Sequence, residues 1–238
     1  MKVLLVGYGK MGKIIESILK QRGHEIAGHI DPSLDRQFDF SAPCDVAIEF
    51  TTPESAVGNI RMCLDHRIPV VCGTTGWIEH RKEIEEYCLS KSGTFFYASN
   101  YSLGVNIFFK LNEVLAKMMN GRAGYEVSIE EIHHTQKKDA PSGTAIALAE
   151  GIMKKLQGKA KWVSGPSAKP DEIGIESFRM DPYPGKHVVK YRSTIDDIEI
   201  SHTAHSREGF ALGAVLVAEW IIGKKGVLGM DDFLSFGD

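Results

Sequence analysis

Residues 1–12 read MKVLLVGYGKMG, and this stretch decides how the first half of the chain folds. A short apolar run from Val3 to Val6 is followed at once by glycines in the spacing G-x-G-x-x-G. Beyond them, apolar residues recur at helical spacing until Gly23, namely Met11, Ile14, Ile15, Ile18 and Leu19. The stretch therefore predicts a buried strand, a tight glycine turn and an amphipathic helix.

The position of the glycine motif indicates a dinucleotide site. Between a strand and a helix, Gly7 allows the tight turn, Gly9 lets the backbone approach a pyrophosphate, and Gly12 permits close helix–strand contact. Phosphate oxygens would meet the free N–H groups at the start of the helix. The alternative is a glycine-rich turn without a ligand, because a chain with 24 glycines can match the motif by chance. We expect the cofactor to contact Gly7, Tyr8, Gly9, Lys10, Met11 and Gly12.

Asp31 supports a dinucleotide site, since it ends the next predicted strand about twenty residues further on. A carboxylate there accepts hydrogen bonds from the ribose hydroxyls of the adenosine half. Pro32 follows it, and the nearest downstream cation is Arg36, so no basic residue adjoins Asp31 to bind a 2′-phosphate. We therefore expect NADH to be preferred over NADPH, although Arg36 or Lys10 could swing in and screen the phosphate.

Strands and helices alternate along the first hundred residues. The expected strands after the first are 25–30, 45–50, 69–72 and 94–98, and the expected helices begin at Pro53 and near Glu79. This alternation predicts an α/β fold with a doubly wound parallel sheet of the Rossmann type.

The pattern changes to α+β after Asn100. Helices are expected at 103–119 and 142–156, and strands at 126–133, 173–180, 187–192 and 198–203. An apolar helix at 210–222 suits packing on the first sheet. We therefore expect a dinucleotide-binding domain of residues 1–102 completed by 210–238, and a substrate-binding and oligomerisation domain of residues 103–209 with an open sheet. Hinges near Ser102 and Arg207 would let ligands close the second domain over the cofactor.

Composition excludes several classes of function. The net charge of −3 gives no general attraction to nucleic acid or to anionic membranes. No apolar run approaches the eighteen residues of a membrane span. The 4 cysteines all lie before residue 90 without a CxxC pair, which is typical of reduced core residues. We expect a cytoplasmic protein that binds neither nucleic acid nor membrane.

Residues 131–145, EIHHTQKKDAPSGTA, carry the densest chemistry in the chain. Two histidines end a predicted strand, two lysines follow in a loop, and Ser142 begins a helix whose amides form a second anion site. Imidazole transfers protons near neutral pH, and an ammonium donates a proton or binds a carboxylate. The pattern favours a small carboxylate substrate that receives a hydride and a proton. Spacing alone does not choose between Lys137 and Lys138, and the alternative is a solvated loop in which Ser142 only caps the helix.

A metal site is not expected. His202 and His205 form an HxxH pair on a predicted strand, where residues three apart face opposite ways. The sequence shows no cysteine or carboxylate cluster that would complete their ligand set.

The run from His133 to Ala145 resembles the catalytic motif of the 4-hydroxy-tetrahydrodipicolinate reductases, also called dihydrodipicolinate reductases. The resemblance covers the whole chain, through segments 7–12, 50–53, 73–76, 98–102, 185–189, 202–207 and 210–214. It implies an NAD(P)H-dependent oxidoreductase of lysine and diaminopimelate synthesis. Its substrate would be a small cyclic dicarboxylate, its product 2,3,4,5-tetrahydrodipicolinate, and its assembly a homotetramer built through the open sheet.

The resemblance also implies roles for individual residues. His133 matches the family's general acid/base, and Lys137 matches its proton-donating, substrate-binding lysine. Substrate-binding positions would be His134, Ser142, Gly143 and Thr144. The nicotinamide end of the cofactor would lie against Gly73, Thr74, Thr75, Ala98, Ser99, Asn100 and Tyr101.

Two other hypotheses stay open. Another two-domain dehydrogenase of amino-acid metabolism, of the aspartate or homoserine type, explains Gly7 to Asp31 but not the run from His133. A sensing module would bind NAD(H) without turnover. A thioester-forming semialdehyde dehydrogenase is disfavoured, because it needs a nucleophilic cysteine in the second half of the chain and the last cysteine is Cys88.

Overall fold

The computed structural model describes residues 1–34, 38–206 and 208–235. Arg36 and Arg207, which the sequence analysis named beside the cofactor and at a hinge, lie outside the described residues. The chain divides into two compact units, Met1–Leu103 with Glu208–Asp238, and Gly104–Arg207. These bounds lie within two residues of the expected domain limits, and the roles of the two units stay predictions.

A six-stranded parallel sheet forms the first unit. Numbered in chain order, its strands are β1 (Lys2–Val6), β2 (Glu25–Ile30), β3 (Val46–Glu49), β4 (Val70–Cys72), β5 (Thr94–Tyr97) and β11 (Gly226–Leu228). Its helices are α1 (Lys10–Gln21), α2 (Pro53–Asp65), α3 (Arg81–Ser90), α6 (Glu208–Ile221) and α7 (Met230–Leu234), with a 3₁₀ turn at Ile78–His80. The predicted doubly wound sheet is confirmed, whereas β11 and α7 were missed.

Strand order in this sheet is β11-β5-β4-β3-β1-β2. The chain therefore moves outward in one direction from β1 to β2 and in the other from β3 onward. Ligands of open α/β sheets bind outside the carboxyl ends of the strands, at the point where the order reverses. That point lies beyond β1 and β3, beside Gly7 and Phe50.

Helices cover both faces of the first sheet, so its strands are apolar on both sides. Along β1, Val3 and Leu5 face α1 and α6, whereas Leu4 and Val6 face α2 and α3. Gly213 of α6 is required here, because a Cβ on it would lie 1.8 Å from the carbonyl oxygen of Tyr101. The expected return of the chain to the first sheet is thus seen in α6.

A five-stranded mixed sheet forms the second unit, in the order β10-β9-β6-β8-β7. Its elements are α4 (Leu103–Met119), β6 (Glu126–His133), α5 (Gly143–Lys155), β7 (Lys161–Ser164), β8 (Glu172–Arg179), β9 (Gly185–Arg192) and β10 (Asp197–Ala204). Strand β6 is parallel to β8 and antiparallel to β9. The predicted open α+β sheet is confirmed, and β7 was missed.

Only one face of the second sheet is covered by helices of the same unit. Residues at alternate positions of β6, from Val127 to His133, are buried, whereas those between them are more exposed. The buried face packs on α4 and α5 through Phe108, Ala116, Leu148, Ala149 and Ile152. Among the described residues, no helix is long and apolar enough to cross a membrane.

Candidate active site

The glycine turn after β1 has the geometry that the motif predicts. Gly7 has a φ of +93°, and a Cβ on it would lie 2.1 Å from the carbonyl oxygen of Phe50. A Cβ on Gly12 would lie 2.4 Å from the carbonyl oxygen of Gly7, so helix α1 can pack this closely only with glycine there. Gly9, by contrast, faces open space, with nothing within 4 Å of the position of a Cβ. The backbone at Gly9 is therefore accessible to a ligand.

A cleft of about 400 Å³ opens beside this turn, at the carboxyl ends of β1, β3 and β4. Six of the predicted cofactor residues line it, namely Gly9, Lys10, Met11, Gly73, Thr74 and Thr75. Phe50, Thr51 and Pro53 complete the lining. The Thr51 N–H donates to Thr74 Oγ1 at 2.7 Å and joins the two loops. The start of α1, where backbone N–H groups are free, thus borders a space that suits a pyrophosphate.

Asp31 follows β2, where the sequence predicts a ribose contact. Its side chain also hydrogen-bonds to the glycine turn. Its Oδ2 accepts the Tyr8 N–H at 2.6 Å, and its Oδ1 accepts the Ser33 N–H and hydroxyl at 2.9 and 2.5 Å. Hydrogen bonds from Ser33 and then from Tyr8 lower the pKa of Asp31, so the side chain is a carboxylate. It is an anion fixed beside the turn.

The segment after β5 is only partly accessible. Tyr101 is 2% exposed, and its hydroxyl donates to the Cys72 carbonyl at 2.7 Å. Its ring packs near Phe50 and Phe96, with centroids 5.7 and 5.9 Å away. Ala98 is also buried, whereas Ser99 is exposed. Any contact of Tyr101 with a ligand would therefore come from its main chain.

The strand register of the second unit brings several polar side chains together at one end of the sheet. Glu131 and His133 lie two residues apart on β6 and so share a face. Glu131 pairs with His187 across β9 and with Ser177 across β8, and His133 pairs with Arg179 across β8. Five polar side chains from three strands are therefore brought together, although only His133 was predicted.

Glu131 lies at the centre of this group and is fully buried. Its Oε1 accepts the Ser177 hydroxyl at 2.7 Å and the Ser142 N–H at 3.0 Å, and lies 3.7 Å from the Arg179 guanidinium. Its Oε2 lies 3.6 Å from both His133 Nδ1 and His187 Nε2. Burial alone would raise the pKa of Glu131, but its interactions with His187, Ser142 and Ser177 lower it to about 2. The carboxylate is a permanent buried anion.

His133 is 7% exposed, and its ring lies 5.0 Å from that of His187. Burial lowers the pKa of His133 to about 4, and the neighbouring His187, Lys137 and Arg179 act in the same direction, although Glu131 opposes them. The imidazole is therefore neutral at pH 7 in the free protein. It can accept a proton without first losing one.

Gly185 leaves the space beside the His133 ring free. A Cβ at Gly185 would lie 3.1 Å from His133 Nε2 and 3.3 Å from its Cδ2. We expect Gly185→Ala to displace the ring by a few tenths of an ångström and to lower kcat roughly tenfold, because misplacement of about 1 Å can cost 10²-fold. Steady-state assays measure this. Gly58→Ala in α2, where a Cβ meets nothing within 4 Å, is the matched control and should keep wild-type kcat. Equal kcat in both variants would contradict the expectation.

Lys137 and Lys138 differ in their surroundings. The Lys137 side chain is 23% exposed, and its ammonium donates to both Asp139 carboxylate oxygens at 2.8 Å. Lys138 is exposed. His134 follows β6 directly, and its carbonyl accepts the Lys137 N–H at 3.1 Å, which closes a turn in the loop.

Ser142 is the N-cap of α5 and is 3% exposed. Its Oγ accepts the Ala145 N–H at 3.2 Å and hydrogen-bonds with His187 Nε2 at 3.1 Å, while its own N–H is bound by Glu131. Both polar groups of Ser142 are therefore used inside the protein. The accessible part of the predicted anion site is the first turn of α5, where Gly143 is exposed and Thr144 half-buried.

Comparison with known proteins agrees with this arrangement. Residues 1–101 match the family model described as dihydrodipicolinate reductase, N-terminus, and residues 104–234 match its C-terminus counterpart. The 4-hydroxy-tetrahydrodipicolinate reductase of Christiangramia forsetii is 49% identical over 99% of this chain and 98% of its own. That of Methanococcoides burtonii is 35% identical over 95% and 96%.

The chain belongs to the dihydrodipicolinate reductase family. The resemblance seen in the sequence is thereby confirmed, and the aspartate or homoserine type of dehydrogenase is set aside. A solved dihydrodipicolinate reductase from Paenisporosarcina sp. TG-14, with dipicolinate bound, has the same fold, with a TM-score of 0.80 at 20% identity over 98% of this chain and 99% of that one. Family membership indicates a nicotinamide dinucleotide site in the N-terminal half.

One cluster in this reductase family member has the composition of a metal site. Ligand atoms of Glu131, His133 and His187 all lie within 4.8 Å of one another. However, Glu131 already accepts hydrogen bonds from Ser142 and Ser177, and the positive Arg179 lies beside it. Hydrogen bonding therefore accounts for the Glu131 carboxylate, whereas His133 Nδ1 and His187 Nδ1 are buried without a hydrogen-bond partner among the described residues; we assign no metal ligand. The expectation that no metal is bound stays a prediction.

Several residues of the site were not predicted from the sequence. Glu131 lies within the quoted stretch but was given no role, and Ser177, Arg179, Gly185 and His187 were not singled out as site residues. A buried polar residue at alternate positions of an otherwise apolar strand, as at Glu131 in β6, was the available signal. Which residues surround it depends on strand register.

Proposed function

We propose that the protein is a cytoplasmic reductase that converts 4-hydroxy-2,3,4,5-tetrahydrodipicolinate to 2,3,4,5-tetrahydrodipicolinate in lysine and diaminopimelate synthesis. The observation that carries the proposal is a buried neutral imidazole at His133 that is affected by the charge of Lys137 and connected through Glu131 to Ser142, the N-cap of α5. Loss of water removes the 4-hydroxyl group together with a proton from the adjacent ring carbon, and the ring then gains a hydride and one proton, so one proton is taken up overall.

In this proposal the predicted site residues of the second unit have separate tasks. When bound, the nicotinamide supplies the hydride. Lys137 and the amides of Gly143 and Thr144 bind the substrate carboxylates. The Lys137 ammonium donates a proton to the ring carbon next to the one that receives the hydride, and His133 acts as general acid/base beside it. His134, half-buried at the start of the same loop, contacts the substrate in this proposal.

The direct test is an assay with freshly generated 4-hydroxy-tetrahydrodipicolinate and each reduced nicotinamide in turn. We expect turnover, measured as the loss of nicotinamide absorbance, and competitive inhibition by dipicolinate, the ligand in the solved relative. Nicotinamide binding without turnover would support the sensing hypothesis instead.

Binding of a dicarboxylate should be linked to proton uptake. The groups facing His133 are Glu131, His187, Lys137 and Arg179. A bound dianion favours the charged imidazole, so the pKa of His133 should rise from about 4 when dipicolinate binds. Affinity should then increase as the pH falls toward that value and lose this dependence in His133→Gln. Calorimetry in two buffers of different ionisation enthalpy measures the uptake, and the same proton count in wild type and variant would refute the link.

We also propose that NADH is preferred over NADPH. Asp31 is a carboxylate held beside the glycine turn, and it would face a 2′-phosphate as one anion facing another. Among the cations of the described residues, Lys10 lines the cleft. Lys10 could screen the phosphate at low ionic strength.

Replacing Asp31 by Ser should raise the relative use of NADPH by removing the repulsion. Asp31→Asn should act in the same direction while keeping an acceptor for the Tyr8 N–H. Asp39→Ser is the matched control, since Asp39 accepts the Ser41 N–H in the same way but is exposed elsewhere on the unit. The ratio of kcat/KM for NADH and NADPH, measured at low and moderate salt, tests the proposed cofactor preference. A wild-type protein that favours NADPH at both salt levels would contradict the Asp31 argument and leave the reductase activity untouched.

We propose a homotetramer built through the open face of the second sheet. The face opposite α4 and α5 carries Ser128, Glu130 and Lys190, and Glu199 of β10 lies directly opposite Lys190 on the same face. Light scattering should give four times the chain mass of 26.3 kDa. A monomer at micromolar concentration would exclude this assembly.

A further inference from the structure

Arg179 lies at the end of β8, directly opposite His133 at the end of β6. Its side chain is 22% exposed, so the guanidinium is largely withdrawn from solvent. Neither the motif that identifies the family nor the roles assigned above include it. It nevertheless lies next to the imidazole of His133.

The Arg179 guanidinium binds main-chain carbonyls of the catalytic loop. Its Nε donates to the Lys137 carbonyl at 3.2 Å, and its Nη2 donates to the Asp139 carbonyl at 2.6 Å. Its Nη1 donates to the Phe178 carbonyl at 2.9 Å and lies 3.7 Å from Glu131. One planar group thus connects β8, the loop and the buried anion.

The catalytic loop, residues 134–141, depends on such contacts because it has few of its own. Its internal main-chain hydrogen bond is the one from the Lys137 N–H to the His134 carbonyl. At its start, the Thr135 hydroxyl donates to Asp181 Oδ2 at 2.7 Å. The end of β8 and the residues just after it therefore hold the loop at two places, and Arg179 holds the residue that carries the ammonium.

A guanidinium is suited to this task in a way that an ammonium is not. It presents five N–H donors in a rigid plane, so it can bind carbonyls in different directions at once. The permanent negative charge of Glu131 keeps it oriented at the base of the loop. A lysine at this position would keep the positive charge but would bind as a point charge on a flexible stem.

We propose that Arg179 is a positioning residue, which sets the place of the Lys137 ammonium by binding the carbonyl groups of Lys137 and Asp139. Its importance for turnover rests on the proposed function, whereas its hold on the loop does not. The two parts can therefore be tested separately.

Arg179→Lys and Arg179→Met are the test variants, and Arg192→Gln is the matched control. Arg192 lies on β9, which β6 separates from β8, and its side chain is 55% exposed, with Glu130 and Asp197 at 3.9 Å. Both Arg179 variants should lose ten- to a hundredfold in kcat/KM, because displacement of a reacting group by about 1 Å can cost 10²-fold. The Kd for dipicolinate should rise by a similar factor, while the Kd for NADH should stay that of wild type. Arg192→Gln should match wild type in all three.

The pH dependence of kcat/KM distinguishes the positioning effect of Arg179 from the effect of its charge. After burial, Arg179 is one of the groups that lower the pKa of His133, together with His187 and Lys137 and against Glu131. Arg179→Met should therefore shift the acid limb of kcat/KM upward in pH, whereas Arg179→Lys should not, although both lose activity. A residue that only stabilises the fold would lower the melting temperature and move neither the profile nor the ratio of the two Kd values.

Limited trypsin digestion tests the hold on the loop without substrate. Cleavage after Lys137 and Lys138 should be faster in both Arg179 variants than in Arg192→Gln. Wild-type cleavage rates together with wild-type kcat/KM in Arg179→Lys would overturn the proposal, and so would faster cleavage with unchanged kcat/KM. If the wild-type protein itself neither reduces the substrate nor binds dipicolinate, the proposed function fails, and the digestion rates alone then support or overturn the hold on the loop.

Discussion

Replacing His133 by Gln should lower kcat by roughly 10²–10⁴-fold, the usual contribution of a positioned general acid or base. Glutamine has a similar reach and can hydrogen-bond, but its amide cannot take up and return a proton. Because His133 is only 7% exposed, solvent water has little room to take over its task. Steady-state turnover with saturating cofactor is the measurement, and the NADH affinity of the variant should stay that of wild type.

His80→Gln is the matched control for this experiment. His80 is half-exposed beside Glu79 and Glu83 in the first unit and has no place in the proposed chemistry. It should retain wild-type turnover and Tm. If His133→Gln were as active as His80→Gln, the proton would have to move through another group, and His187, whose ring lies 5.0 Å from that of His133, would be the next to replace.

Local patterns were enough to predict most of the fold. The expected strands 25–30 and 126–133 coincide with β2 and β6, because apolar periodicity and flanking turn residues specify such elements locally. The missed strands β7 and β11 are only four and three residues long. β11 exists through its pairing with β5, more than a hundred residues away in the sequence, and no local pattern encodes that contact.

The candidate site likewise has residues that the local sequence predicts and residues that depend on long-range strand pairing. His133 and Lys137 belong to one continuous run, so the motif was sufficient to name them. Their surroundings depend on the register of β6 with β8 and β9, which brings Arg179 and His187 to Glu131 from 40 residues or more along the chain. The sequence could not decide whether Ser142 binds substrate or caps α5. The structure uses both its N–H and its hydroxyl in internal hydrogen bonds, so the cap is observed, while the substrate contacts of Ser142, Gly143 and Thr144 stay predictions.

Lys137→Ala should damage both substrate binding and turnover, whereas Lys138→Ala should change little. The Lys137 ammonium is held above the loop by Asp139, with its main chain fixed by Arg179, while Lys138 is exposed. Removing it deletes a proton donor, worth roughly 10²–10⁴-fold, and a charged partner for a substrate carboxylate. We therefore expect kcat to fall within that range and KM to rise as well.

The pair of variants forms its own control, because the two lysines are adjacent and carry the same charge. A general electrostatic attraction of the dianionic substrate would make both substitutions cost about the same and would weaken at high salt. A specific contact makes only Lys137→Ala raise the Kd for dipicolinate, at low and moderate salt alike, with NADH binding unchanged. If Lys138 proved critical and Lys137 dispensable, the catalytic loop would present its other lysine to the substrate, and the roles assigned to Lys137, Asp139 and Arg179 would fail together.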